Sequence, residues 1–342
     1  MSPAEVEDLV SKYGWEPYRA QQIVSWVYLK GVTDFDAMAN LPRKMRDELK
    51  HIAYVSSLTP LRLLTSKDGT RKYLFVLQDG MEIETVVIPE KKHLTICLST
   101  QLGCALRCRF CNTGRLGLIR NLTTAEILNQ LEAVLRDFGD REGLKNIVFM
   151  GMGEPLANYE AVLKTLEIIL HPFGFNFSHR RVTLSTAGLI PELRRLGSEN
   201  PVNLAISLNA ADNQTRTFLM PINRRYPLEA LLTACKEYPL PSRKRITFEY
   251  VLIAGVNDAP RDAHTLARLL QNMRGKINLI PLNEHPGTEF KKPTAAVIEA
   301  FLDILLSHGY TVTVRESGGQ DIMAACGQLG GSSGETAARE TR

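Results

Sequence analysis

Six cysteines occur in 342 residues, and four of them, Cys97, Cys104, Cys108 and Cys111, fall within fifteen positions. The tightest group reads Cys104-Ala-Leu-Arg-Cys108-Arg-Phe-Cys111, a C-x3-C-x2-C spacing. Three thiolates this close can hold one soft metal centre. Four would saturate a structural zinc or an iron–sulfur cubane, whereas three leave a [4Fe–4S] cluster with one iron open to an outside ligand. A zinc site completed by Cys97 or a histidine, and three unrelated buried thiols, are the other readings of the same spacing. Six cysteines are too few for a disulfide scaffold.

A second chemical element follows at Phe149-Met-Gly151-Met-Gly153-Glu154-Pro155. Leu156 occupies the third glycine position of a G-x-G-x-x-G fingerprint, so a dinucleotide site is a poor account. Glycines let backbone approach a ligand closely, and Glu154 with that backbone suits a zwitterionic amino-acid group. An ordinary strand-to-helix turn is the plain alternative.

The composition sets outer bounds. Hydrophobic residues make up 44% and charged residues 23% of the chain, the balance of a globular enzyme rather than a fibrous or disordered protein. Lys plus Arg is 41 and Asp plus Glu is 37, a net charge of only +4; any polyanion site must be a local patch. The acidic start leads into no apolar h-region, and no run of about 18 apolar residues spans a bilayer. A cytoplasmic protein with no membrane partner is expected.

The elements that must position these groups form a pattern. Residues 1–58 read as a helical unit holding both tryptophans, with one helix opening at Pro17 and another over Pro42 to about His51. Residues 59–89 read as a short β extension, with strands at Arg62-Leu-Leu-Thr, Arg71-Lys-Tyr-Leu-Phe-Val-Leu and Met81-Glu-Ile-Glu-Thr-Val-Val-Ile and a turn at Gln78-Asp-Gly. Residues 90–329 alternate. Apolar strand-like runs at 94–100, 146–152, 181–187, 202–209, 245–253, 277–283 and 310–315 are separated mostly by amphipathic stretches at 124–138, 158–170, 227–237, 261–273 and 295–308. This order predicts an α/β fold with a parallel sheet. A partial (β/α)6-type barrel or a doubly wound sheet would satisfy it. In a barrel the chemistry lies at the C-terminal strand ends, where this sequence places Ser99, Gly153, Glu154, Ser185, Ser207, Asn209 and Asn283. Residues 330–342 read as a flexible tail.

The three cysteines, the G-x-G-E-P element and the barrel order together resemble the radical S-adenosylmethionine (SAM) superfamily. That resemblance implies an open iron that binds the amino and carboxylate groups of SAM. It also implies a one-electron cleavage of SAM to methionine and a 5′-deoxyadenosyl radical. Longer words narrow it: Pro17-Tyr-Arg-Ala-Gln-Gln-Ile, Glu84-Thr-Val-Val-Ile-Pro, Cys97-Leu-Ser-Thr-Gln-Leu-Gly-Cys104 and Asp321-Ile-Met-Ala-Ala-Cys326-Gly-Gln-Leu. In that order, over residues 15 to about 330, they resemble the RlmN/Cfr RNA methyltransferases. These methylate an adenine carbon in 23S rRNA, C2 for RlmN members, which also act on tRNA, and C8 for Cfr members.

Such a carbon is electrophilic and cannot attack the SAM methyl group itself. The resemblance implies two SAM molecules per turnover. Cys326 is implied to carry a methyl group taken by nucleophilic displacement, a reaction suited to a thiolate. Cys97 is implied to release the product by forming a disulfide with Cys326, and Glu84 to accept the ring proton. By the same resemblance Cys104, Cys108 and Cys111 hold the [4Fe–4S] cluster, and Gly153, Glu154, Ser185, Ser207, Leu208, Asn209 and Asn283 line the SAM site. Taken alone, Glu84 reads as a solvent-facing strand carboxylate, Cys97 as a small buried hydrophobe, and Cys235 as core. Asn209 departs from the Ser-Leu-His ending common in the family, although its amide can donate and accept. Pro155 resembles RlmN members, where Cfr members tend to have Ala.

Implied partners are 23S rRNA, tRNA and an electron donor such as flavodoxin or ferredoxin, with the chain acting as a monomer. The N-terminal unit resembles the family's accessory RNA-binding domain. Basic groups that could grip phosphates include Arg107, Arg109, Arg115, Arg120, His179-Arg180-Arg181, Arg224-Arg225, Arg243-Lys244-Arg245 and Lys291-Lys292. The target base must leave its stack to reach a buried site. Cfr-like C8 methylation is the nearest rival reading, and a zinc-containing, non-catalytic RNA-binding protein is the rival from another class.

Overall fold

The structure is a computed structural model that describes residues 1–139, 143–199 and 202–330. The tail expected from 330 onward therefore lies outside the described residues after Gly330.

Three helices open the chain: α1 (Pro3–Lys12), α2 (Tyr18–Val24) and α3 (Arg43–Ile52). The first was not anticipated, yet its start is written in the sequence. Ser2 caps the helix, Pro3 takes the first turn, and Glu5 completes a reciprocal capping box. Helix α2 runs on through a π-helical turn at Ser25–Leu29. Val6, Val10, Ile23, Val24, Phe35, Met38, Leu41, Met45 and Leu49 form a core of their own.

The next three strands, β1 (Pro60–Thr65), β2 (Arg71–Val76) and β3 (Glu82–Pro89), are joined by tight turns. Next come β4 (Leu94–Cys97), β5 (Gln101–Gly103), α4 (Asn112–Arg115), β6 (Leu118–Asn121), α5 (Thr124–Phe138) and β7 (Leu144–Phe149). The chain continues as α6 (Tyr159–Leu170), β8 (Val182–Thr186), α7 (Ile190–Glu199), β9 (Asn203–Ser207), α8 (Asn213–Leu219), α9 (Leu228–Glu237) and β10 (Ile246–Leu252). It ends with α10 (Pro260–Leu269), β11 (Gly275–Pro281), α11 (Ala295–Ser307) and β12 (Val312–Val314).

Ten strands make one sheet in the order β1-β2-β3-β4-β7-β8-β9-β10-β11-β12. From β4 to β12 all pairings are parallel. Six parallel strands of four to seven residues, and a three-residue seventh, follow one another in chain order and form a partial barrel, one of the two arrangements that the alternating sequence allows. The segment read as an extension supplies the antiparallel edge of that same sheet, because β3 pairs with β4. Tyr73, Phe75, Ile83, Ile96, Ile147, Leu184, Leu204 and Phe248 join the main core, as does Cys235. No helix among the described residues is long and apolar enough to cross a membrane.

A small second sheet, β5 with β6, encloses the cysteine loop. Gly103 has φ +72°, and a Cβ there would lie 1.7 Å from the Gly117 carbonyl oxygen. Only glycine closes this neck, and the Cys104 amide donates across it to that carbonyl at 2.9 Å.

Helix α5 is fastened to the barrel by one fully buried amide. The Gln130 carbonyl oxygen accepts from the Ser99 amide at 2.9 Å and the Thr85 hydroxyl at 2.7 Å, while its NH2 donates to the Ser99 carbonyl at 3.0 Å. Gln130→Leu leaves these partners buried and unsatisfied, so urea unfolding is expected to show a loss of about 2–4 kcal/mol. A change below about 0.5 kcal/mol would show that the amide does not hold the helix in place.

Candidate functional site

A cavity of ≈ 170 Å³ opens at the C-terminal ends of the parallel strands. Cys104, Cys108 and Cys111 form one wall, and Gly153, Glu154, Ser185, Ser207, Asn209, Asn283 and Cys326 lie around the rest. Ten of the thirteen candidate residues thus converge on one space. Leu208 does not line it; its side chain is fully buried in the main core, and its carbonyl serves the site from behind.

The three thiols are free of disulfides. Burial pushes Cys104 up to about 12, Cys108 well above the ordinary thiol range, and Cys111 upward as well. Such thiols ionise only against a strongly positive centre. Among the described residues no group of three or more His, Cys, Asp or Glu side chains is arranged to hold a metal ion. A single zinc would need its sulfurs drawn in to about 2.3 Å. Three soft donors around a cavity instead suit a group of several atoms, so the donor set fits a cluster. Cys108 also lines an outer groove with Arg107, Arg109 and Arg115, and so reaches from the cavity towards the surface.

The glycines after β7 have a tighter role than ligand approach alone. A Cβ at Gly151 would meet the Leu98 carbonyl oxygen at 2.7 Å, and one at Gly153 would meet Gln101 Cβ at 2.5 Å. Both let this turn press against the segment leading to the cysteine loop. Glu154 follows, buried, and its carboxylate accepts from the Ala187 amide at 2.8 Å and the Leu156 amide at 3.1 Å. Burial raises its pKa despite those hydrogen bonds. The carboxylate therefore joins the ends of β7 and β8 and still faces the cavity.

Asn209 has φ +59°, a left-handed conformation that asparagine tolerates better than most residues. Its Oδ1 accepts from the Val251 amide at 2.9 Å, and Asn257 donates to its carbonyl at 2.8 Å. The departure from histidine at this position thus has a local backbone reason.

Three charged groups escaped the sequence reading. Glu249, on β10, lines the cavity and accepts from the Ser185 hydroxyl at 2.7 Å. Its signal was a carboxylate in the apolar run R-I-T-F-E-Y-V-L-I. Arg216, on α8, is wholly buried. It donates to the carbonyls of Ala187 at 2.7 Å, Leu208 at 3.1 Å and Ser207 at 3.3 Å, and to Asn223 Oδ1 at 3.0 Å. Burial pulls its pKa down to about 10, and the charge of Cys108 opposes the shift. Arg315, just after β12, is raised chiefly by the charge of Cys326, with Glu249 and Cys97 adding to it and burial opposing.

Behind the cavity lies the loop that carries Cys326. Strand register explains what meets it. Val86 of β3 pairs with Cys97 of β4, and Lys72 of β2 pairs with Val86. Glu84 lies two residues from Val86, so Lys72, Glu84 and Cys97 share one face of the sheet. Glu84 is buried, not solvent-facing. Lys72 Nζ lies 3.0 Å from Glu84 Oε1 and donates to the Met323 carbonyl at 3.2 Å, while the Gly330 amide donates to Glu84 Oε2 at 2.5 Å. The ion pair thus grips the loop on both sides of Cys326. Cys97 packs with Ala324 and Leu329 of the same loop. Burial, then the nearby Cys326, pushes Cys97 up to about 12. Asn283 Nδ2 donates to the Cys326 carbonyl at 3.0 Å, and the Asn112 amide, next to Cys111, donates to the Gly327 carbonyl at 2.7 Å.

Comparison with known proteins gives a consistent result. A family model described as the radical SAM superfamily matches residues 98–267, and one described as the ribosomal RNA large subunit methyltransferase N-terminal domain matches residues 1–55. The chain is 52% identical to a protein of Syntrophobacter fumaroxidans, over 95% of each chain. It is also 52% identical to one of Geobacter sulfurreducens, over 97% of this chain and 91% of the relative. Both relatives are described as dual-specificity RNA methyltransferase RlmN. A solved radical SAM methyltransferase from Sphaerobacter thermophilus is 45% identical, with a TM-score of 0.89 over 96% of this chain and 97% of that one.

Arg216→Met removes the donors that fix the ends of β8 and β9 and leaves their carbonyls buried. Equilibrium dialysis of the anaerobically reconstituted variant should show SAM binding weakened at least about tenfold, the effect of 1.4 kcal/mol. Wild-type affinity would mean that the strand ends hold their shape without it.

Proposed function

Since the chain belongs to the RlmN family of radical SAM methyltransferases, we propose that it methylates C2 of an adenosine in 23S rRNA and of an adenosine in tRNA. The observation that carries this reading is the Cys326 loop. It is seated between the three-cysteine wall on one side and Cys97 with Glu84 on the other.

Cys104, Cys108 and Cys111 would hold a [4Fe–4S] cluster. When bound, that cluster supplies the electron that splits SAM into methionine and a 5′-deoxyadenosyl radical. Gly153, Glu154, Ser185, Ser207, Asn209 and Asn283 would orient SAM between cluster and loop, with Leu208 supporting them through its backbone. Cys326 would take a methyl group from one SAM, releasing S-adenosylhomocysteine, and present it to the cavity. After hydrogen abstraction by the radical, the methylene carbon would bond to the adenine ring. Glu84, freed from the Gly330 amide as the loop shifts, would accept the ring proton. Cys97 would then bond to the sulfur of Cys326 and break its bond to the methylene carbon, which would take up a proton to become the methyl group as the adduct's unpaired electron returned to the cluster. The Arg315 guanidinium near both sulfurs favours the thiolate this step needs. Two electrons and two protons restore the thiols. A donor such as flavodoxin or ferredoxin would approach the groove where Cys108 nears the surface. In the N-terminal unit, Arg43, Lys44 and His51 point outward from α3, which suits contact with RNA phosphates.

Anaerobic reconstitution should yield a brown, dithionite-bleachable protein with about four irons per chain, and mass spectrometry of treated RNA should find 2-methyladenosine. Cys326→Ala should abolish transfer and keep the colour. Cys97→Ala should leave RNA covalently attached to Cys326, seen as a slow band on a denaturing gel. A colourless zinc protein, an 8-methyl product, or full turnover by either variant would each overturn a stated part of this scheme.

A further inference from the structure

The parallel strands have a second end, and the sequence loads it with cations. Arg180 and Arg181 precede β8, Arg243, Lys244 and Arg245 precede β10, Arg274 precedes β11, and Lys276 lies within its first turn of pleat. Because β8 to β12 run parallel and adjacent, all seven fall on the face opposite the SAM cavity. A strand of seven residues separates the two faces by roughly 23 Å.

Hydrogen bonds tie these segments into one surface. Asn203 Nδ2 donates to the Arg180 carbonyl at 2.8 Å, and Lys244 Nζ donates to Asn203 Oδ1 at 2.6 Å. Arg274 donates to the carbonyls of Pro241 at 3.0 Å and Lys244 at 3.2 Å, and Arg245 donates to the Thr311 hydroxyl at 2.9 Å. The 241–245 turn is held so that Arg243 takes φ +67°, a conformation disfavoured for a side chain of its kind. Arg243, Lys244, Arg245 and Arg274 together line an open groove of ≈ 530 Å³.

No carboxylate among the described residues lies within ion-pair distance of any of the seven, as one does for Arg71, Arg109, Arg120, Arg194 and Arg195. The whole chain has a surplus of only +4, so seven cations gathered on one face are a concentration that the composition does not force. Burial, with the neighbouring charges of Arg180 and Lys276, pulls the Lys244 pKa down. Among the described residues no carboxylate within ion-pair distance offsets this repulsion, and an anion would relieve it.

We infer that this face is an auxiliary RNA-docking surface, which holds the phosphate backbone of a large RNA substrate while the target base enters from the opposite end. The inference rests on the functional reading above, since that reading makes RNA the polyanion at hand. The spread of cations over adjacent strand ends matches a row of phosphates, which a single small anion would not fill. It also explains why the charges stand far from the chemistry: they add affinity for a long RNA without entering the SAM site.

Filter binding of unmodified 23S rRNA and of a tRNA transcript to the reconstituted full-length enzyme tests it. The R243Q/K244Q/R245Q variant should bind 23S rRNA at least tenfold more weakly at low salt. Its plot of log affinity against log salt should be shallower by about 2–3, near one unit per lost phosphate contact. R180Q/R181Q, before β8 and so two strands away across β9, should show the same change on a smaller scale. The control R194Q/R195Q/R261Q makes an equal change of net charge on the outer helices and should move neither quantity. RNA-independent release of 5′-deoxyadenosine should be unchanged in all three, which reports an intact fold and SAM site. Wild-type RNA affinity and slope in both bottom-face variants, or losses no larger than the control's, would overturn the inference. So would unchanged RNA binding with lost binding of polyglutamate, which would assign the face to an acidic protein. If wild-type enzyme binds RNA through this face yet methylates none, the functional reading fails and the surface stands.

Discussion

The buried pair of Lys72 and Glu84 organises the packing around the Cys326 loop. Taking two charges out of water costs several kcal/mol per ion, and a direct contact alone seldom recovers that. Here the remaining donors and acceptors are used as well. Glu84 takes the Gly330 amide and Lys72 gives a hydrogen to the Met323 carbonyl, so the pair defines where a loop over 240 positions away must sit. Apolar residues of the same volume could match its stability, but they could not select one loop position. The ion pair is therefore a device for placement.

The alternation of apolar runs and amphipathic stretches made the parallel sheet legible, because strands buried on both faces write themselves as short apolar words, but it did not separate a barrel from a doubly wound sheet. Helix α1 and the cysteine-loop hairpin were less visible. A ten-residue helix with three buried residues carries little periodic signal beyond its cap, and β5 has only three residues. In the site, the grouping of Cys104, Cys108 and Cys111 could be read from local spacing, and the choice of a cluster over zinc from the resemblance. Glu84, Cys97 and Cys326 could be connected only through a resemblance, since no local pattern reports contacts between residues 84 and 330. Glu249, Arg216 and Arg315 went unread for the same reason. A charged residue in a strand or helix announces that it is costly to bury, but not which partners make burial tolerable.

Arg216 illustrates that limit. Its guanidinium serves three carbonyls and an amide oxygen from one buried point. A lysine has three donors about a single nitrogen and could not span two strand ends in this way. The planar fork fixes the relative positions of Ala187 and Ser207, and with them the cavity edges on β8 and β9. Its positive charge also lies near Cys108. One side chain thus shapes the cofactor cavity and biases its electrostatics in favour of the thiolate form.

The two ends of the barrel divide the work according to what each can tolerate. At the C-terminal ends, buried thiols and carboxylates require a closed, low-dielectric space, because radical chemistry must be kept from water. Dense cationic charge there would compete for those same thiols and carboxylates. At the N-terminal ends the strands begin in solvent, where exposed arginines cost little and can face a polyanion without disturbing the cavity. A parallel sheet makes this separation automatic. Every crossover returns the chain to the same starting face, so basic residues placed just before successive strands gather into one surface, however far apart they lie in sequence.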